Sequence, residues 1–214
     1  MAAVELRTHV FLDSMQPQFA AYVASTAKGY LPVAGQAALY VEVAPGIFIN
    51  RITDVALKKT DVRPGIQVVE RAYGLLEIHA HSQAEVLEAG RQILAHLELR
   101  EEERLKPVVV STQIITNVDD HQAMLINRSR SGQMLLGGQT LFILECHPAG
   151  YVTIAANEAE KASPISLIDM RAFGAFGRLY LGGTEAHIQE AARAALKAIE
   201  GVSGKKNPEA ERHV

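Results

Sequence analysis

The sequence predicts an α/β (α+β) fold made of two tandem ferredoxin-like halves, each in circularly permuted element order. Three observations carry this. The chain repeats itself at a nearly constant offset, the apolar pattern gives both halves one order of elements, and turn and helix-start signals recur. Gly29, Gly35, Gln36, Glu42 and Pro45 reappear 103 residues later as Gly132, Gly138, Gln139, Glu145 and Pro148, and Lys58 falls on Lys161. After a three-residue contraction, Arg71-Ala72-Tyr73-Gly74 falls on Arg171-Ala172-Phe173-Gly174. Such an ordered series marks a duplicated unit of about 100 residues, a usual domain size. Residues 1–102 form the first unit and 103–204 the second. The charged run Arg100–Arg104 reads as a solvated connector, and the polar, aperiodic residues 205–214 as a flexible tail.

The first half opens with a strand over Glu5–Leu12. A short amphipathic helix follows, with Phe19, Tyr22 and Val23 on one side. Ala38–Val43 is nearly all apolar, as a buried strand should be. A helix over Asn50–Thr60 has Asn50 as its expected cap and Ile49, Ile52 and Ala56 as its buried stripe. Two strands, Ile66–Val69 and Tyr73–Ile78, are joined by a tight turn. The last helix starts at Ser82, with Glu85 completing a capping box, and buries Val86, Gly90, Ile93 and Leu97. The second half repeats the order: strand Val108–Ile115, helix His121–Asn127, strand Thr140–Glu145 and helix Ile154–Ala162. Strands on either side of Arg171 and a helix over Thr184–Ile199 complete it. Moving the first strand and helix of each half to its end gives β-α-β-β-α-β-α, a sheet with helices on one face.

Composition narrows the function. A net charge of −3 gives no general attraction to a phosphate backbone, so no nucleic-acid role is expected. No apolar run is long enough to span a bilayer, and MAAVELRTHVFLD has no signal-peptide pattern, so no membrane role is expected either. One cysteine, Cys146, allows no internal disulfide and fits a reducing, cytoplasmic compartment. There is no nucleophile elbow, P-loop or dinucleotide fingerprint. His79 and His81 form an HxH pair at a strand end, but no third ligand is evident.

The sequence resembles a known family. LYVEVAPG followed by TDVALKKTDV is similar to the first strand and helix of bacterial microcompartment (BMC) shell domains. VVERAYGLLEIH followed by AEVLEAG is similar to that family's pore strand, pore loop and next helix. Their order, found twice, resembles the tandem-domain, circularly permuted, trimer-forming shell proteins of carboxysomes and related compartments. The resemblance spans about residues 5–202. It implies a non-enzymatic tile: three subunits form a pseudohexameric disc around a central pore, discs can stack in pairs, and they tile with hexameric and pentameric shell proteins. Metabolites would pass through the pore, and the protein would reside in the shell of a cytoplasmic microcompartment.

The resemblance also implies residue roles. Glu70 and Arg71 match the pore gate, where three copies of each meet on an axis and alternate in charge. On their own they read as an ordinary exposed pair. The second turn carries Met170 in place of Glu70, so the gate belongs to the first half and Arg171 and Phe173 are pore-wall neighbours. Lys58 and Lys161 match the family's lysine at the tile edge. The turns near Arg71 and Arg171 lack a cysteine to ligate an iron–sulfur cluster, so no cofactor and no metal is expected. The alternative function is a trimeric, ferredoxin-like small-molecule-sensing regulator. A third reading, an enzyme using Glu77, Asp54 and His79, has no spacing that joins them.

Overall fold

The computed structural model describes residues 4–208. The first half runs β1 (Glu5–Leu12), α1 (Pro17–Thr26), β2 (Ala37–Ala44), α2 (Ile49–Lys59), β3 (Arg63–Glu70), β4 (Tyr73–Ala80) and α3 (Gln83–Leu97). The second runs β5 (Val108–Ile115), α4 (Asp120–Asn127), β6 (Thr140–His147), α5 (Val152–Ala162), β7 (Ser166–Arg171), β8 (Gly177–Gly183) and α6 (Glu185–Glu200). Each half makes one antiparallel four-stranded sheet, ordered β1-β2-β4-β3 and β5-β6-β8-β7. No helix among the described residues is long and apolar enough to cross a membrane.

The apolar β2 lies between β1 and β4 and is buried on both faces. One face of the first sheet packs Leu39, Val41 and Ile78 against Ile49, Ile52 and Ala56 of α2 and Val86, Ala89 and Ile93 of α3. Its other face packs Val10 and Tyr40 against Phe19 and Val23 of α1, and that core continues into Leu144, Leu179 and Ile188 of the second half. Burying each such Leu, Ile or Phe contributes roughly 1.5–3 kcal/mol, so the halves share one large core. The counterpart of α1 is different. Helix α4 covers a small cluster of Val118, Ala123, Leu135, Leu141 and Ile168, and its Met124 and Leu125 remain exposed.

The structure departs from the sequence reading at four points. Helix α2 begins at Ile49, continuing directly from a 3₁₀ turn at Gly46–Phe48; Asn50 therefore lies in the first turn, where its amide donates to the Ile47 carbonyl. Only half of the expected capping box forms: Ser82 Oγ accepts from the Glu85 N–H, while the Glu85 carboxylate accepts from the N–H of Asp61. The connector is pinned. Arg104 donates to the carbonyls of His9 at 2.6 Å and Ser203 at 2.9 Å. The start of the predicted loose tail is held too: Lys205 pairs with Leu105, and buried Asn207 donates to the Lys106 carbonyl. The rest of that tail, 209–214, lies outside the described residues.

Candidate functional site

The two pore-turn candidates are built differently. In the first half, β3 ends at Glu70 and β4 starts at Tyr73, so Arg71 and Ala72 alone make the turn. Arg71 has φ of 53°, in the left-handed region, which costs a non-glycine residue about 1 kcal/mol or more. In the second half, five residues separate β7 from β8, and Gly174 takes the positive φ, 100°. The longer turn corrects the sequence alignment. Gly74 lies against the 3₁₀ turn at Gly46, and Gly177 lies in the same way against Ala149, so the counterpart of Tyr73-Gly74 is Phe176-Gly177. Phe173 belongs to the added loop.

The structure brings the two turns together. A Cβ built on Gly174 would lie 3.8 Å from Cγ of Glu70. Glu70 is half-buried, whereas Arg71 and Arg171 are exposed. Phe173 is half-buried against the shared core, with the Arg171 guanidinium 5.9 Å from its ring centroid. Arg171 faces Arg178 across the β7–β8 ladder, but the charge of Arg178 is met by Glu145 at 2.6 Å. That bond holds the Glu145 carboxyl below its ordinary pKa. Among the described residues, Glu70, Arg71 and Arg171 have no ion-pair partner in the chain. Behind the second turn is a cavity of about 250 Å³ between the halves, lined by Tyr22, Tyr40 and Leu75 on one side and Met170 to Phe173 on the other.

The two candidate edge lysines have unlike surroundings. Lys58 projects from α2 into solvent and, among the described residues, pairs with Asp54 alone, at 2.8 Å. Lys161 reaches Glu158 at 2.8 Å and, across to the first half, Asp13 at 2.9 Å. Burial works against its charge, yet those two carboxylates hold its pKa above the ordinary lysine value.

His79 is buried and hydrogen-bonded to Glu77 at 2.9 Å, while His81 is exposed and Asp54 lies apart, paired with Lys58. Glu77 and His79 therefore do meet, being two apart on one strand. Among the described residues, no group of three or more His, Cys, Asp or Glu is placed to hold a metal ion. Burial pushes the Cys146 thiol up, away from thiolate chemistry.

Sequence reading missed the polar seam between the halves. Glu42 is fully buried and accepts from Arg7 Nε at 2.9 Å, from Thr8 Oγ1 at 3.2 Å and, across the seam, from the Gly150 N–H at 2.9 Å. Arg7 also reaches His147 Nε2 at 2.9 Å and stacks 3.5 Å over the Tyr73 ring. His147 Nδ1 in turn meets the Asn207 amide at 2.9 Å. The one sequence signal was a charged residue at two matching points, Glu42 and Glu145, inside otherwise apolar strands.

Comparison with known proteins agrees with this architecture. Residues 6–103 match the CsoS1D N-terminal domain family. The chain is 54% identical over 205 residues to the carboxysome shell protein CcmP of Synechococcus elongatus, covering 96% of each. It is 53% identical to the carboxysome shell protein CsoS1D of Hydrogenovibrio crunogenus, covering 92% of this chain and 96% of that one. Among solved structures, it superposes on the fused permuted hexameric shell protein MSM0275 of the RMM microcompartment with a TM-score of 0.90 at 44% identity, covering 93% of this chain and 100% of that one. The double ringed trimeric shell protein MSM0271 from the same microcompartment gives 0.92 at 40% identity, covering 95% and 100%.

Proposed function

The chain belongs to the family of carboxysome shell proteins that includes CcmP and CsoS1D, and from that premise we propose that three copies close into a pseudohexagonal tile with a gated central pore. Its role is structural and non-catalytic, in the shell of a cytoplasmic microcompartment, beside hexameric and pentameric tiles. The tile passes metabolites and can stack on a second trimer. The relatives named above are shell proteins and lend no support to a sensing regulator.

One observation carries the gate. Glu70 lies beside the second turn, Arg71 follows it at the tip of the first, and among the described residues neither has an ion-pair partner. On a three-fold axis, three carboxylates and three guanidiniums would alternate and close the hole, since like charges alone would repel. Swinging Arg71 away would open it. The strained φ at Arg71 and the cavity behind residues 170–173 support a turn with more than one resting position. Arg171 and Phe173 would line the pore wall.

Lys58, with only Asp54 to hold it, is free to reach a neighbouring tile. Lys161 would first have to leave Asp13, so Lys58 carries more of the edge role. The test of the gate is the pair of changes Glu70→Ala and Arg71→Ala made together. The trimer should persist in native mass spectrometry and its pore should stand open by electron cryomicroscopy. A closed pore in that variant would remove both residues from the gate. Lys58→Glu should weaken sheet assembly and leave trimers intact; undiminished sheets would overturn the edge role.

A further inference from the structure

The seam inside the chain has an unfilled copy of itself on the outside. Thr8 and Glu42 face each other across β1 and β2, just after a bulge in the ladder, and the Thr8 hydroxyl donates to Glu42 Oε2. Ser111 and Glu145 face each other across β5 and β6, just after the same bulge, and the Ser111 hydroxyl donates to Glu145 Oε2 at 3.1 Å. In both, the other carboxylate oxygen accepts from an arginine Nε, Arg7 or Arg178. The difference is one donor. Glu42 Oε2 also takes the Gly150 N–H from the second half, whereas Glu145 Oε2 has no second donor among the described residues.

Gly150 is the middle residue of the 3₁₀ turn Ala149–Tyr151, and Ile47 is the middle residue of its counterpart, Gly46–Phe48. Among the described residues the Ile47 N–H has no partner, and the Ile47 side chain is 67% exposed. Side-chain sizes are exchanged to match. A Cβ on Gly150 would stand 2.9 Å from the Thr8 methyl, so the inner seam accepts only glycine there. Ser111 has no such methyl, which removes the tightest of the three contacts; the other two, to Cβ and Oγ at 3.0 Å, need the neighbouring turn to give by a few tenths of an ångström. Beside this site, Leu125 is exposed, whereas its counterpart Tyr22 is buried under β7. The counterpart of β7 is β3, whose Val69 is exposed.

We infer that the occupant of this face is a second copy of the chain: the Ile47 N–H of one subunit donates to Oε2 of the neighbouring subunit's Glu145, and the Ile47 side chain seats on its Ser111. Strand β3 and the 3₁₀ turn of one subunit then cover β5 and α4 of the next. This rests on the trimeric reading above and adds its contact surface.

A Cβ on Gly150 would lie 3.0 Å from the Thr8 Cβ, closer than the roughly 3.5–4.5 Å between the Cβ atoms of a disulfide, so a small outward shift brings the equivalent pair into its reach. The variant Ile47→Cys with Ser111→Cys should therefore cross-link into covalent trimers under mild oxidation, seen on a non-reducing gel. Wild type, whose Cys146 is buried, should not. Ile47→Asp sets a second carboxylate against Glu145. It should keep its circular dichroism, because the side chain is exposed within the subunit, and should require at least about tenfold more protein to trimerise. A trimer that stays intact in Ile47→Asp and gives no cross-link in the double-cysteine variant overturns the seam but leaves the trimeric reading standing. Wild type that shows no trimer in native mass spectrometry overturns that reading and the seam with it.

Discussion

Arg7 Nε donates to Glu42 Oε1 at 2.9 Å, and the two side chains are only 2% and 1% exposed. A guanidinium stays charged at any accessible pH, so its burial is sustained by this carboxylate, with the Glu5 carboxylate at 3.6 Å, His147 and the Tyr73 ring beside it. Burial pushes the Glu42 carboxyl up, and Arg7, the Gly150 N–H and the Thr8 hydroxyl pull it back.

Removing one partner strands the other. Arg7→Met or Glu42→Leu alone should each lower stability by about 3–5 kcal/mol. The double variant should lose less than the sum of the two, because no buried charge is left unpaired. Chemical denaturation of all four proteins checks this; additive losses would show that the two side chains do not act as a pair.

The Tyr22 hydroxyl lies 2.8 Å from Asp169 Oδ1 and 2.6 Å from the Met170 carbonyl, both in the other half. One hydroxyl proton serves one acceptor at a time. Tyr22→Phe should therefore cost about 1–2 kcal/mol, the range for one buried hydrogen bond, some of it charge-assisted. Thermal denaturation measures it, and an unchanged midpoint would mean that solvent replaces the hydroxyl.

Gly74 and Gly177 each let a strand pass close to a 3₁₀ turn. A Cβ on Gly74 would meet Gly46 O and lie 2.8 Å from Ile49 Cβ; one on Gly177 would meet Ala149 O and lie 3.0 Å from Val152 Cβ. Either alanine should destabilise by about 1–3 kcal/mol through overpacking. Similar losses from both would confirm their equivalence, and a neutral Gly177→Ala would break it.

The Lys161 hydrogen bond holds the Asp13 carboxyl below its ordinary pKa. A depressed carboxylate contributes stability that is present above its unfolded pKa and lost as the pH falls through its folded one. Asp13→Asn should thus be less stable than wild type at pH 7, and the gap should start to shrink as the pH falls below about 4. The pair is largely exposed, so the gap should be at most about 0.5 kcal/mol after screening. Melting curves from pH 3 to 7 test it; a gap as large at pH 3 as at pH 7 would point to a cause other than charge.

Strands and helices were legible because local periodicity reports which face of each element is buried. Ile49, Ile52 and Ala56 mark α2, and the run AALYVEVA marks β2. The duplication was legible from turn glycines and prolines held at one offset. The turn at Arg171 was misaligned because R-A-aromatic-G occurs there inside a longer loop, while the glycine that packs against the 3₁₀ turn is Gly177. The Arg7 network was invisible because its members lie 35 and 140 residues apart. Within ELRTHVFL, nothing local to Arg7 shows that its side chain is buried. Asn207 was hidden in a polar stretch whose docking depends on His147. At the candidate pore, the residues could be named from the sequence, but that Glu70 abuts the second turn is a fact of packing.

The Glu42–Gly150 contact lies within one polypeptide, so no dilution can separate its two sides. Covalent linkage turns that encounter into an intramolecular one, at an effective concentration in the millimolar range typical of tethered partners. A six-part ring built from such chains needs two productive collisions rather than five. Its growing intermediates can contain two, four or six parts and never an odd number. Disassembly follows the same rule, so a damaged tile sheds whole pairs and each released piece keeps one finished seam with which to rejoin.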